Sequence, residues 1–298
     1  MYEKDKFLNP PPRNVPWPIR VRVLFSGFYN QFGWLWLGFS LIFMWVFPAN
    51  IDFTSWYQFR APNIEITQGT ITHQQKTNFS EGGSDNSDGM PIYISHYSYH
   101  DLKNKEYKGK SYSVGSYSDI GQQVKIEYIK NNPSISRIEG LKNKPMPIWT
   151  AFIILFPFIG LTFIIIGVSQ GLKANYLLAA GKLASGKIKN KAATNARINN
   201  QTVYKMIFEF QAEDTKFYEA IAKTHLPQLL EDDEKEKLLY NPLNPKHAVL
   251  IDSLPGSPRI DNQGHFLAGS IFQAMACLII PVITILGHSM VLYLKLFK

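Results

Sequence analysis

The 298-residue chain has a single cysteine, Cys277. No intramolecular disulfide can form, and a zinc site built from thiolates is excluded. It has no P-loop, no dinucleotide-binding glycine fingerprint, no G-x-S-x-G elbow and no H-E-x-x-H helix. The residues therefore propose no reaction, and no catalytic residue, cofactor or metal is expected. Acidic residues are missing from three long apolar blocks, residues 32–49, 148–168 and 266–297, where the only Lys or Arg is Lys295. A helix needs about 20 apolar residues to cross a bilayer core. The second and third blocks reach that length, and residues 23–31 extend the first. Three such blocks are too many to bury inside so small a chain. Transmembrane helices are thus predicted within 23–49, 145–172 and 265–298. The first block begins late and lacks a small-x-small cleavage site, so a retained anchor is expected rather than a removed signal.

What is present in excess is positive charge, with a formal net charge of +8. In a membrane protein such charge belongs to sides. Lys4, Lys6, Arg13, Arg20 and Arg22 precede the first block, and Lys173, Lys182, Lys187, Lys189, Lys191 and Arg197 follow the second. Cytoplasmic loops collect Lys and Arg near span ends, so a cytoplasmic N-terminus is expected. The same charges suit anionic headgroups. The bilayer is the expected partner, and nucleic acid is not. Residues 1–22 read as a cytoplasmic proline-rich tail, because NPPPRNVPWPIR (9–20) is too rich in proline for a helix. Residues 50–66 read as an interfacial connector carrying Trp56, Tyr57 and Phe59. Residues 173–184 read as a helical connector.

The two polar segments between the blocks repeat each other. Tyr128 and Tyr240 lie 112 residues apart, as do Pro133 and Pro245, and Ile138 and Leu250. Tyr93, Tyr97 and Tyr99 match Tyr204, Phe208 and Phe210 at a spacing of 111. QGTITH (68–73) matches SGKIKN (185–190). Ordered matches along a whole segment are the mark of duplication. Alternation, as in Tyr204, Met206, Phe208 and Phe210 on one side, predicts about five strands per copy. Five short antiparallel strands with one apolar face must curl to hide it. The predicted fold class is therefore an α+β membrane protein: three transmembrane helices and two duplicated five-stranded barrel- or sandwich-like domains. The first copy spans 67–144 on the extracytoplasmic side, and the second spans 185–264 in the cytoplasm. Residues 226–239 are expected to contain a helical turn. Residues 74–91 and 191–201 read as loops, the former mobile.

The order of a Gly-x-Ile strand, Tyr/Phe-rich strands and the ending LYNPLNPKHAVL (239–250) resembles the DUF3592 family of bacterial membrane proteins, here in tandem over 67–139 and 185–254. The first copy departs from the pattern at Ile129 and Lys130. The resemblance implies a bacterial inner membrane and this fold, but no activity.

A few polar groups invite chemistry. His96 and His100 are four apart, but on a strand that is roughly 13 Å, too far to share one ion unaided. DNSDG (85–89) fails the calcium-loop pattern at Ser87 and His96. EDDE (231–234) reads as a solvated acidic run. His288, inside the third block, is the one functional candidate, since intramembrane ionisable groups often act; helix packing is the plainer role. Gly160 and Gly167 share a helix face and permit close approach. The expected function is a membrane scaffold or sensor with a protein partner or self-association. An oligomeric transport component with His288 or Gln273 facing a path is the alternative, and a membrane-bound hydrolase a third.

Overall fold

The computed structural model describes residues 8–60, 63–83, 89–231 and 234–297. The chain divides into two compact units, residues 40–156 and residues 1–39 with 157–298.

In the first of these, strands β1 (Ile64–Glu81), β2 (Met90–His100), β3 (Glu106–Val114), β4 (Gln123–Ile129) and β5 (Asn132–Ile138) form an antiparallel sheet in the order β3-β2-β1-β4-β5. Alternation sends Ile71, Tyr97, Tyr99, Ile126, Tyr128 and Ile138 to the buried face. The sheet curls until its edges meet: the Tyr112 amide donates to the Lys142 carbonyl at 2.8 Å, and the Ile138 amide donates to Ser111 Oγ at 2.8 Å. The short helix Phe53–Tyr57 is capped by Asp52 Oδ1, which accepts from the Ser55 amide at 2.9 Å. Asp52 Oδ2 accepts from the Asn143 amide, which ties this connector to the β domain. Trp56 and Tyr57 are exposed, whereas Phe59 is buried, with the Arg137 guanidinium 4.4 Å from its ring centroid.

The other unit carries helices α1 (Trp17–Phe25), α2 (Phe28–Val46, whose last turns reach beyond it), α4 (Phe156–Ala180), α5 (Ile271–Ala276) and α6 (Ile279–Leu296), with α3 denoting Phe53–Tyr57. Its strands are β6 (Lys182–Ile198), β7 (Gln201–Gln211), β8 (Phe217–Thr224), β9 (Glu236–Asn241) and β10 (Asn244–Leu250). Their order is β10-β9-β6-β7-β8, and β8 lies alongside β10. This is the strand order of the first copy. The registers agree residue by residue: Ile71 faces Tyr97 as Ile188 faces Phe208, Glu65 faces Tyr128 as Lys182 faces Tyr240, and Tyr99 faces Tyr107 as Phe210 faces Tyr218. Even the irregularities recur, between Ile71 and His73 and between Ile188 and Asn190. Residues 227–230 form the expected helical turn.

Three segments of 23, 33 and 26 residues, Phe28–Asn50, Ile148–Ala180 and Ile271–Leu296, are long and apolar enough to cross a membrane. Two readings of the sequence need correction. Residues 74–81 and 191–198 are not loops but the outer halves of β1 and β6. Both faces of these arms are largely polar, so no alternation betrays them; backbone pairing alone makes them strands. Residues 84–88, with most of DNSDG, lie outside the described residues.

The proline-rich segment is also not a loose tail. Pro16 and Pro18 lead into α1, where proline is tolerated because the first turn needs no amide donors. Leu8, Val15, Ile19 and Val23 are buried with Ala174, Leu177 and Leu178 of α4, Leu239 of β9, and Ile251, Leu254 and Phe266. Arg13 closes the end of α4, donating from Nη1 to the Gly181 and Leu178 carbonyls at 2.8 and 3.2 Å. The Arg13 amide donates to the Ala179 carbonyl and the Asn9 amide to the Gly264 carbonyl. Hydrogen bonds from a charged donor contribute about 1.5–3 kcal/mol. Arg13→Ala is expected to lose about that much in denaturant unfolding of the intact chain, and Arg13→Lys to recover only part, lacking the planar fork. An unchanged midpoint for Arg13→Ala would show that this N-terminal strap, residues 8–25, adds nothing to stability.

Candidate functional site

Within the helical unit, polar side chains serve the backbone. The chain breaks between α1 and α2 at Ser26 and Gly27, which frees carbonyls that apolar surroundings cannot satisfy. Asn30 Nδ2 donates to the Leu24 carbonyl at 2.6 Å. Gln31 Nε2 donates to the carbonyls of Phe25 and Cys277, both at 2.8 Å. His288 Nε2 lies 3.0 Å from the Gly38 carbonyl, and Thr284 Oγ1 donates to the Trp34 carbonyl one turn earlier. His288 therefore joins α6 to α2, which is the geometry of helix packing. Gln273 is exposed near the start of the third apolar segment and is not brought to His288. Gly160 and Gly167 sit where expected. A Cβ on Gly160 would lie 2.7 Å from the Leu37 nitrogen, and one on Gly167 would lie 2.8 Å from the Asn30 nitrogen.

The interiors of the two β domains differ in kind. Ser95, Ser111, Ser113, Ser136 and Gln74 are all buried in the first. Ser95 Oγ donates to Gln74 Oε1 at 2.6 Å, and the Tyr97 hydroxyl lies 3.0 Å from Ser136 Oγ. The Tyr99 hydroxyl donates to the Pro133 carbonyl, and burial pushes its pKa up to about 12. In the second copy Ser95, Ser111, Ser136, Tyr97 and Tyr99 are matched by Met206, Ala222, Ala248, Phe208 and Phe210, while Gln74 and Ser113 are matched by Lys191 and Thr224, which stay polar. Hydroxyl and partner have changed together, since Tyr97 with Ser136 becomes Phe208 with Ala248. Gly109 completes the set. A Cβ there would lie 2.5 Å from the Tyr97 ring, whereas Ala220 faces the shorter Phe208.

The outer faces also differ. On the second copy, Lys189 Nζ donates to Glu209 Oε1 and Glu219 Oε1 at 2.8 and 2.9 Å, and Lys187 pairs with Glu234. Lys191 pairs with Glu231 at 2.7 Å. The acidic run thus answers the lysines of β6, with Asp232 and Asp233 outside the described residues. On the first copy the register pairs His73 with His96 and His96 with Lys110. The two imidazole centroids are 5.8 Å apart. His100 pairs with Glu106 instead, away from them. Among the described residues, no three His, Cys, Asp or Glu side chains are grouped to hold a metal ion.

Partial burial, then His73, then Lys110 hold the His96 imidazole below its ordinary value. The unfolded chain then binds more protons than the folded one once pH falls through the usual imidazole range near about 6.5, so stability falls with pH there. It levels off when folded His96 itself protonates. His96→Gln is expected to flatten this part of the stability curve, measured by unfolding at stepped pH. An unaltered pH profile would remove His96 from the account.

The signal that sequence reading missed is a second repeated irregularity. Thr77 Oγ1 donates to the Ile92 carbonyl and accepts from the Phe79 amide; Thr194 Oγ1 does the same with Val203 and Ala196. The dipeptides Thr77-Asn78 and Thr194-Asn195 stand 117 residues apart, like Gly69 and Gly186. No family model, curated protein or solved structure matches the chain.

Proposed function

We propose that the chain is a three-span scaffold or sensor of a bacterial inner membrane, a tandem relative of the DUF3592 family, with one β domain on each side. Its N-terminus and second β domain face the cytoplasm, and the first β domain faces out. The observation that carries this reading is the strap. Residues before the first apolar segment pack on residues that follow the second and precede the third. Groups in such contact belong on one side of a bilayer. Passage through one further apolar segment, in either direction, then leads to the first copy.

A scaffold role suits the way the copies differ. Strand order and register are kept, while interior polarity and outer-face charge are not. A duplicated fold with divergent faces suits two different partners. Leu102, at the β2–β3 turn, and Leu243, at the β9–β10 turn, are exposed apolar tips. Photo-crosslinking residues at these positions in intact cells should give two sets of protein adducts that do not overlap. Adducts containing only this chain, or none at either tip, would contradict the scaffold reading.

A further inference from the structure

Three arginines lie on the strap, and two are used by it. Arg13 binds the end of α4, and Arg20 Nε donates to the Val15 carbonyl at 2.9 Å. The third, Arg22, donates to no acceptor among the described residues. It is nevertheless half-buried in a made place. A Cβ on Gly256 would lie 2.8 Å from Arg22 Nε and 2.9 Å from Cζ, and one on Gly269 would lie 3.4 Å from Nη1. Gly256 also has φ of +84°, which other residues rarely adopt. The two glycines leave room for a guanidinium that donates to no acceptor among the described residues.

The level of this notch is set by its neighbours. Gly269 comes two residues before the third apolar segment, and Arg22 six before the first. Val21 lies beside Cys277, its carbonyl 4.0 Å from Sγ. The Leu24 backbone lies against Gly171 of α4, and Asn175 Nδ2 donates to the Arg20 carbonyl at 3.0 Å. The ends of all three apolar segments therefore converge around Arg22. A half-buried guanidinium left without acceptors is costly, and its planar fork fits phosphate oxygens two at a time. At the boundary of a bilayer the available phosphate is that of a lipid headgroup.

We propose that Arg22, framed by Gly256 and Gly269, is a binding site for the phosphate of an anionic phospholipid. The proposal rests on the membrane reading above. The intact chain would be placed in nanodiscs of phosphatidylcholine, with or without phosphatidylglycerol, and its retained lipid and melting temperature measured. The wild type should prefer phosphatidylglycerol and melt higher with it. Arg22→Gln should weaken that preference at least tenfold and abolish the shift. Gly256→Val should do the same by displacing the guanidinium, and Arg22→Lys should fall between. Equal lipid retention by wild type and Arg22→Gln would overturn the proposal. So would inorganic phosphate in phosphatidylcholine nanodiscs reproducing the full shift, because the site would then take free phosphate. Incorporation with no lipid preference would defeat only this inference; a wild type that stays in solution without detergent or nanodisc would defeat the membrane reading beneath it.

Discussion

Phe208→Ala is expected to destabilise the second β domain by about 3–5 kcal/mol, the usual cost of deleting a buried phenylalanine. Phe208 is 1% exposed and packs among Met206, Phe210, Leu238 and Leu250, within the domain's own core. It also faces Ile188 on one side and Ala220 on the other, so little can collapse into the space it leaves. Denaturant unfolding of the intact chain, followed by a probe on β9, would measure the effect. Phe217→Ala is the control: Phe217 is 65% exposed on β8, and its loss should change stability by no more than about 0.5 kcal/mol. A Phe208→Ala cost below about 1 kcal/mol would mean that the repeat has been aligned on the wrong face.

Gly160→Leu should be comparably damaging to the helical unit, for a different reason. Its new Cβ would meet the Leu37 nitrogen at 2.7 Å, the Leu37 Cα at 2.9 Å and the Gly33 carbonyl at 3.0 Å. These are backbone atoms, which no rotamer change can move aside. Gly33 faces the same constraint in return, with the Ile164 nitrogen 2.8 Å from its would-be Cβ. The helices must therefore part, and overpacking of this kind costs about 1–3 kcal/mol or more. Contacts beyond the glycine would be lost too, including the approach of Asn30 to Gly167. Gly287→Leu on α6 provides the contrast, since nothing lies within 4 Å of its would-be Cβ. Melting in detergent should show a clear fall for Gly160→Leu and none for Gly287→Leu. Equal behaviour of the two variants would rule out close packing at Gly160.

The strands of both copies could be read before any coordinates because alternation reports burial. Tyr97, Tyr99, Phe208 and Phe210 announce their face, and all four are buried. The long arms were illegible because residues 74–81 and 191–198 are largely polar on both faces, and the one side chain in them that is buried, Gln74, is itself polar. Their cue was local: a threonine that bonds across the hairpin, repeated as Thr77 and Thr194. The strap was hidden for another reason. Proline fixes the backbone without proclaiming a partner, and Pro16 and Pro18 interrupt the four-residue spacing of Val15, Ile19 and Val23 that would otherwise mark a helix face. Arg13 looked like a topological charge, but it closes a helix. His288 was visible as an unusual residue in an apolar segment; its bond to the Gly38 carbonyl depends on a neighbouring helix that spacing along α6 does not reveal.

The proposed placement of the two copies on opposite sides of one membrane can be tested directly. In a Cys277→Ser background, Lys108→Cys on β3 and Lys223→Cys on β8 place single thiols at exposed positions of the first and second copies. Intact cells would be treated with a thiol reagent that cannot cross the membrane. Labelling at position 108, with none at 223 until the cells are opened, is the expected result. Labelling of both positions in intact cells, or of neither, would contradict the account.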